Sequence, residues 1–141
     1  MPGRNVEPLL GTSHFRVLIG RREVGFSEVG SVTSQTDPAL PADARHAFAS
    51  VVLRRALTGS TELYDWRRAI VAGKDDRRPV TIQLLDGPGG TVAGSWQLVG
   101  AWPSRWSGPA LNALESGIAY EELELTFDDV VWSTPDNPTG G

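Results

Sequence analysis

The chain contains no cysteine. That removes disulfide stapling, thiolate catalysis and cysteine-ligated zinc at once. Lysine is almost missing too: of 13 basic residues only Lys74 is a lysine, and the rest are arginines. Arginine's planar fork favours fixed, bidentate pairing over mobile surface charge, although a codon bias accounts for the same composition. No apolar run approaches the roughly 20 residues a membrane helix needs. The opening "MPGRNVEPLLGTSHF" has neither the basic n-region nor the apolar h-region of a signal peptide. The expectation is a soluble cytoplasmic protein with no direct membrane insertion. A basic surplus is also lacking, since the net charge is −4. This weighs against a general nucleic-acid binder, which must neutralise phosphates.

What is present fits one folded domain. With 141 residues and 40% hydrophobic content, the chain can bury a core but is short for two domains. Residues 1–13 read as a flexible arm and 133–141 as a flexible tail, framing a single domain over 14–132. "FRVLI" (15–19) alternates apolar and other residues with period two, and Gly20-Arg21 turns it into a hairpin. Residues 33–49 read as a long loop: they hold two prolines and two aspartates and lack strand alternation. "FASVVLRRAL" (48–57), "VTIQLL" (80–85), "TVAGSWQLVGAW" (91–102) and "IAYEELELTFDDVVW" (118–132) read as strands. "DGPGG" (86–90) joins the middle two as a hairpin turn, and Gly94 and Gly100 mark bulges or close backbone contacts. "PSRWSGPALNALESG" reads as a second irregular segment.

One stretch differs. "LTGSTELYDWRRAIVAG" (57–73) carries the periodicity of a helix over about 61–72. Leu63, Trp66 and Ile70 form its apolar stripe, Ser60 is the expected N-cap, and Gly73 stops it. Asp65 and Arg68, three apart, are expected to pair. The fold class that follows is mainly β: a small antiparallel β-sandwich or barrel with one flanking α-helix.

No catalytic or metal-binding constellation emerges, and no cofactor is implied. His14 and His46 have no partner at metal-ligand spacing. "GPGG" lacks the lysine and following helix of a phosphate loop. The carboxylates Glu121, Glu122 and Glu124 admit a hydrolase reading, but an outward acidic stripe accounts for Glu122 and Glu124. Glu121 shares the strand face of Leu123 and Leu125, so it needs a partner, internal or in a neighbouring subunit, and arginine is the expected one. Five tryptophans fit either core and interface anchors or a stacking platform for sugars or bases. A monomeric Trp-rich β-sandwich carbohydrate-binding module is therefore an alternative.

The stretches "LTGSTELYDWRRAIVAGKDDRRPVTIQLLD" (57–86) and "AWPSRWSGPALNALESGIAYEELELTFDDVVW" (101–132) carry a family resemblance. They resemble the tail tube proteins of contractile-tailed phages and of extracellular contractile injection systems. "FRVLIGRREVGFSEVGSV" (15–32) is similar to that family's opening hairpin. The resemblance implies a structural protein and not an enzyme. It implies a homo-hexameric ring that stacks into a hollow inner tube, with strands of each subunit closing a barrel around a lumen that carries DNA or a protein payload. A sheath protein and baseplate, hub and cap proteins are the implied partners. The implied location is the cytoplasm at assembly, then a phage tail or phage-tail-like particle. On this reading Trp102, Arg105, Trp106, Glu121, Arg54 and Arg55 are candidates for the subunit interface. Arg67 and Arg68, free of the core, are candidates for sheath or neighbour contacts. Trp106→Ala or Glu121→Ala is expected to block assembly while the monomer stays folded. The loop "TSQTDPALPADARHAFA" (33–49) lacks the family's "KLPG"-like ending, which leaves a tube-initiating ring at the baseplate end as an alternative to the main subunit.

Overall fold

The computed structural model describes residues 9–36, 38, 39, 41 and 48–138. The loop reading over 33–49, the arm and the end of the tail thus fall partly outside the described residues. Among the described residues, nine strands and one helix follow in the order β1 (Phe15–Ile19), β2 (Arg22–Val24), β3 (Glu28–Val29), β4 (Thr33–Gln35), β5 (Phe48–Ala56), α1 (Glu62–Val71), β6 (Arg78–Leu85), β7 (Val92–Ser107), β8 (Tyr120–Thr126) and β9 (Asp129–Ser133). Among the described residues the main path of antiparallel pairing runs β2-β1-β6-β7-β8-β5-β3, with β4 on β5 and β9 on β7, and it does not close into a barrel.

Strand parity explains most of this. In β1, Val17 and Ile19 are buried, and in β8 every second residue (Glu121, Leu123, Leu125) points inward. Val51 and Leu53 of β5, Val80 and Ile82 of β6, and Leu98 of β7 complete the shared core. Thr33–Gln35, expected within the long loop, instead pair with Phe48–Ser50 as a hairpin. The tail is likewise held at its start: β9 reaches Ser133, and Thr134 and Asn137 exchange backbone hydrogen bonds of 3.0 and 3.1 Å.

The largest departure from expectation lies in β7. It runs through Pro103 to Ser107, where an irregular segment was expected. Its first part pairs with β6 on one side and β9 on the other; its second part pairs with β8. Proline cannot donate to a ladder and survives at a register shift, and the shift falls between Pro103 and Arg105. The expected final strand is correspondingly two, β8 and β9, both antiparallel to β7 and separated at Phe127-Asp128. Two sheets therefore share one bent strand.

Gly100 sits at that bend with φ +65° and lies opposite Asp128, whose N–H donates to the Val99 carbonyl at 2.8 Å. A Cβ on Gly100 would lie 2.5 Å from Asp128 Oδ2, and left-handed backbone costs other residues about 1–2 kcal/mol. Gly100→Ala is expected to lower stability by about 1–3 kcal/mol in a urea melt. Gly25, whose Cβ would meet nothing within 4 Å, supplies the control: Gly25→Ala should stay within about 0.5 kcal/mol. Equal effects would show that the bend is not specified there. Gly94 is a close-approach glycine, because the Trp132 ring lies directly on it.

The helix forms as its stripe demands: Leu63 and Trp66 are buried and Ile70 packs against the same core. Its N-cap is Thr61, not Ser60; the Ser60 hydroxyl accepts from the Glu62 N–H at 3.4 Å. Asp65 accepts from the Thr61 hydroxyl at 2.9 Å, and no Asp65–Arg68 ion pair forms. At the other end Gly73, φ +86°, donates to Ile70 O and Lys74 donates to Ala69 O, a Schellman closure.

Candidate assembly surfaces

The inward carboxylate of β8 finds its partner inside the chain. Cross-strand register sets Arg55 opposite Glu121, and Arg55 Nε donates to Glu121 Oε2 at 3.2 Å. Glu121, only 2% exposed, also accepts from Trp106 Nε1 at 2.9 Å. Arg55 Nη1 continues to Glu62 of the helix first turn at 2.8 Å, and Glu62 meets Arg22 of β2 at 2.9 Å. The chain Trp106–Glu121–Arg55–Glu62–Arg22 thereby ties β7, β8, β5, α1 and β2 under the helix. Arg55 Nη2 is buried without a hydrogen-bond partner among the described residues.

Three interface candidates, Arg55, Trp106 and Glu121, are thus bonded to one another. Trp106 also packs edge-on against Tyr64 of the helix, with ring centroids 5.1 Å apart. The other face of the same sheet holds Arg54 and Arg105. Arg105 lies 3.1 Å from Glu124 and 3.8 Å from Glu122, and Arg54 lies 4.0 Å from Glu122. Arg54 also stacks over Tyr120 at 4.0 Å. Thr126 donates to Ser104 at 2.8 Å on β7 beside this ladder. Each exposed pair contributes about 0.2–1 kcal/mol, so the ladder is mainly a wetted, charge-balanced surface. Trp102, half-buried where β7 passes between sheets, pairs with Thr126.

Arg67 departs from expectation. Its Nη1 donates to the Pro103 carbonyl at 3.0 Å, so it clips the helix to β7 and is not free of the fold. Arg68 is exposed, its carbonyl accepts from Ala72 N–H at 3.0 Å at the helix end, and its side chain makes no hydrogen bond or ion pair among the described residues. Trp66 is clasped from the far side: its Nε1 donates to the Asp76 carbonyl at 2.7 Å, and Arg78 lies 4.6 Å over its ring. Arg78 forks onto Asp76 at 3.0 and 2.9 Å, and this hydrogen bonding lowers the Asp76 pKa. The clasp was not read from sequence, although "DDRR" beside a buried tryptophan supplies the residues for it.

The tryptophans do not gather into a platform. Trp66 is core, Trp106 is under the helix, and Trp96 and Trp132 tilt against each other at 4.7 Å. Among the described residues, no three His, Cys, Asp or Glu side chains stand where they could hold a metal. None of the described helices is long and apolar enough to cross a membrane.

Comparison with known proteins supplies the frame. Curated proteins return no match. Among solved structures, the sheath-tube complex of an extracellular contractile injection system (PVC) in its extended state contains a chain with TM-score 0.74 and 24% identity, covering 92% of this chain and 94% of that one. The tube-terminating cap of the anti-feeding prophage gives TM-score 0.76 and 22% identity, covering 93% and 95%. Hcp1 from Flavobacterium johnsoniae gives 0.58 and 11%, covering 85% and 94%. These likenesses establish the fold. The sequence itself matches the family described as T4-like virus tail tube protein gp19 over residues 11–131, from the approach to β1 into β9. The two sheets sharing β7, with one helix across their core, are the fold of a tail tube protein, and this chain belongs to the T4-like virus tail tube protein family.

Proposed function

We propose that the chain is the structural subunit of the inner tube of a contractile injection system or phage tail, assembling as hexameric rings that stack into a hollow tube. The observation that carries this is the family match over residues 11–131, spanning both sheets and the helix. The polar ladder of Arg54, Glu122, Arg105 and Glu124 is partly open to solvent, its side chains 32–43% exposed. On this reading it faces the lumen, where two positive and two negative charges balance and let a payload protein or DNA pass without sticking. The solved relatives include sheath-tube, cap and baseplate assemblies, and sheath, cap and baseplate proteins are the partners proposed here. Arg68 is the proposed sheath or neighbour contact, and Trp102 the proposed ring contact. Family and fold give no support to a hydrolase or a sugar-binding module.

Size-exclusion chromatography with light scattering, followed by negative-stain microscopy, tests the proposal on the purified full chain. The expected species is six times the 15.2 kDa subunit, seen as rings or tubes with a central channel. A chain that stays monomeric even when seeded with preformed tube and baseplate overturns it.

A further inference from the structure

Two leucines stand in water at the root of the N-terminal arm: Leu9 is 98% exposed and Leu10 45%. An uncovered apolar slot lies next to them. A groove of about 540 Å³ opens between the sheets, lined by Phe15, Val29, Val32, Leu84 and Trp96, and Thr12 is part of the same wall. Among the described lining residues only Glu28 is charged. Leu10 is two residues before Thr12, within about 7 Å along the chain. The chain is fixed where it enters β1, since Leu85 N–H donates to the His14 carbonyl at 2.9 Å and Phe15 pairs with Leu84. It bends at Thr12-Ser13. Between bend and leucines sits Gly11, where an added Cβ would meet nothing within 4 Å beyond its chain neighbours, so the arm has a free hinge.

Taking a leucine side chain out of water gains free energy in proportion to the apolar area covered, and ordering two or three residues costs a comparable amount. Between separate molecules at micromolar concentration such a contact is too weak to form. A short tether holds the leucines at about millimolar effective concentration, and that advantage belongs to the groove of the same chain. The β7–β8 loop, residues 108–119, also holds apolar side chains in water, namely Leu111, Leu114 and Ile118. None of its residues lines the groove, and its end is pinned by the 2.8 Å bond from Leu57 N–H to the Ala119 carbonyl. The covalent connection at Thr12 therefore selects the arm.

We infer that the arm folds back as a strap over its own subunit, with Leu9 and Leu10 seated in the groove against Phe15, Leu84 and Trp96. The free subunit then alternates between the open form of the structure and a closed form that hides the slot. The strap does not depend on the tube reading, because it concerns a single copy. Its contact is apolar, so raising salt does not release it.

Nuclear magnetic resonance of the full chain with methyl-labelled leucines, recorded over a dilution series at low and high salt, tests the strap. The expected result is upfield-shifted Leu9 and Leu10 methyl signals with Overhauser contacts to the Trp96 ring, unchanged by dilution or salt. Trp96→Leu keeps the groove apolar and should remove most of the upfield shift. Random-coil shifts without those contacts overturn the strap. Contacts that fade on dilution also overturn it, since they place the leucines in a second copy. A second measurement leaves the groove intact. Leu9→Ser with Leu10→Ser should raise the fluorescence of the apolar-surface dye anilinonaphthalene sulfonate at least about twofold, with an unchanged circular dichroism spectrum. Equal dye fluorescence in the variant and the parent chain overturns the strap as well.

Discussion

Replacing Glu121 by alanine is expected to lower the unfolding free energy by about 3–5 kcal/mol, the cost of breaking a buried ion pair from one side. The mutation removes the acceptor of both Arg55 Nε and Trp106 Nε1. It strands a guanidinium that is 9% exposed and already has one orphaned nitrogen. Glu62 offers partial compensation through its 2.8 Å contact with Arg55, at the edge of the network and not at its centre. The discriminating comparison is the double variant Arg55→Met with Glu121→Leu, which keeps volume and removes both charges. It should recover most or all of the loss, since apolar replacement of a whole buried pair is commonly neutral or stabilising. Urea denaturation of the three proteins measures this. A double variant as unstable as Glu121→Ala alone would mean that packing, not charge, sets the effect. The sequence-based expectation that Glu121→Ala spares the monomer and blocks only assembly is revised here: the carboxylate first holds its own chain together.

Trp66→Ala is the second large effect, expected at about 3–5 kcal/mol as for other buried tryptophan truncations. Trp66 is 1% exposed and fills the space between the helix and the core. Its loss opens a cavity, frees the Asp76 carbonyl from its 2.7 Å bond and removes the surface on which Arg78 stacks. Trp66→Phe keeps most of the packing and loses the hydrogen bond, so it should cost about 1–2 kcal/mol. Equilibrium unfolding followed by far-ultraviolet circular dichroism checks both. A Trp66→Ala cost below that of Trp66→Phe would show that the helix is anchored elsewhere.

Local patterns carried much of this architecture. The alternation in "FRVLI" and "YEELELT" marked which side chains enter the core, and parity alone placed Glu121 inside and called for an arginine. The helix stripe Leu63, Trp66 and Ile70 and its stop at Gly73 follow from period and punctuation. What sequence could not name was which arginine. That depends on the register between β5 and β8, 66 residues apart at Arg55 and Glu121. Two errors have physical causes. Pro103 reads as a strand breaker, yet a shared strand with a register shift accommodates it. Arg67 lies off the apolar stripe and so read as free, but a long side chain can reach a neighbouring carbonyl, here that of Pro103. The groove of about 540 Å³ between the sheets was illegible because its lining comes from β1, β6, β7 and the segment around β3, which only the tertiary fold brings together.

The bent strand has a mechanical consequence. Two stacked sheets that touch only through side chains can slide along their core under an applied thrust. In this chain β7 continues through both sheets as one backbone, and β8 and β9 run beside it in the opposite direction with only Phe127-Asp128 between them. Thrust on either sheet therefore reaches the other along two covalent rails, and sliding would have to stretch peptide geometry. The subunit acts as a stiff bracket, so the compliance of an assembly built from it resides in the joints between copies.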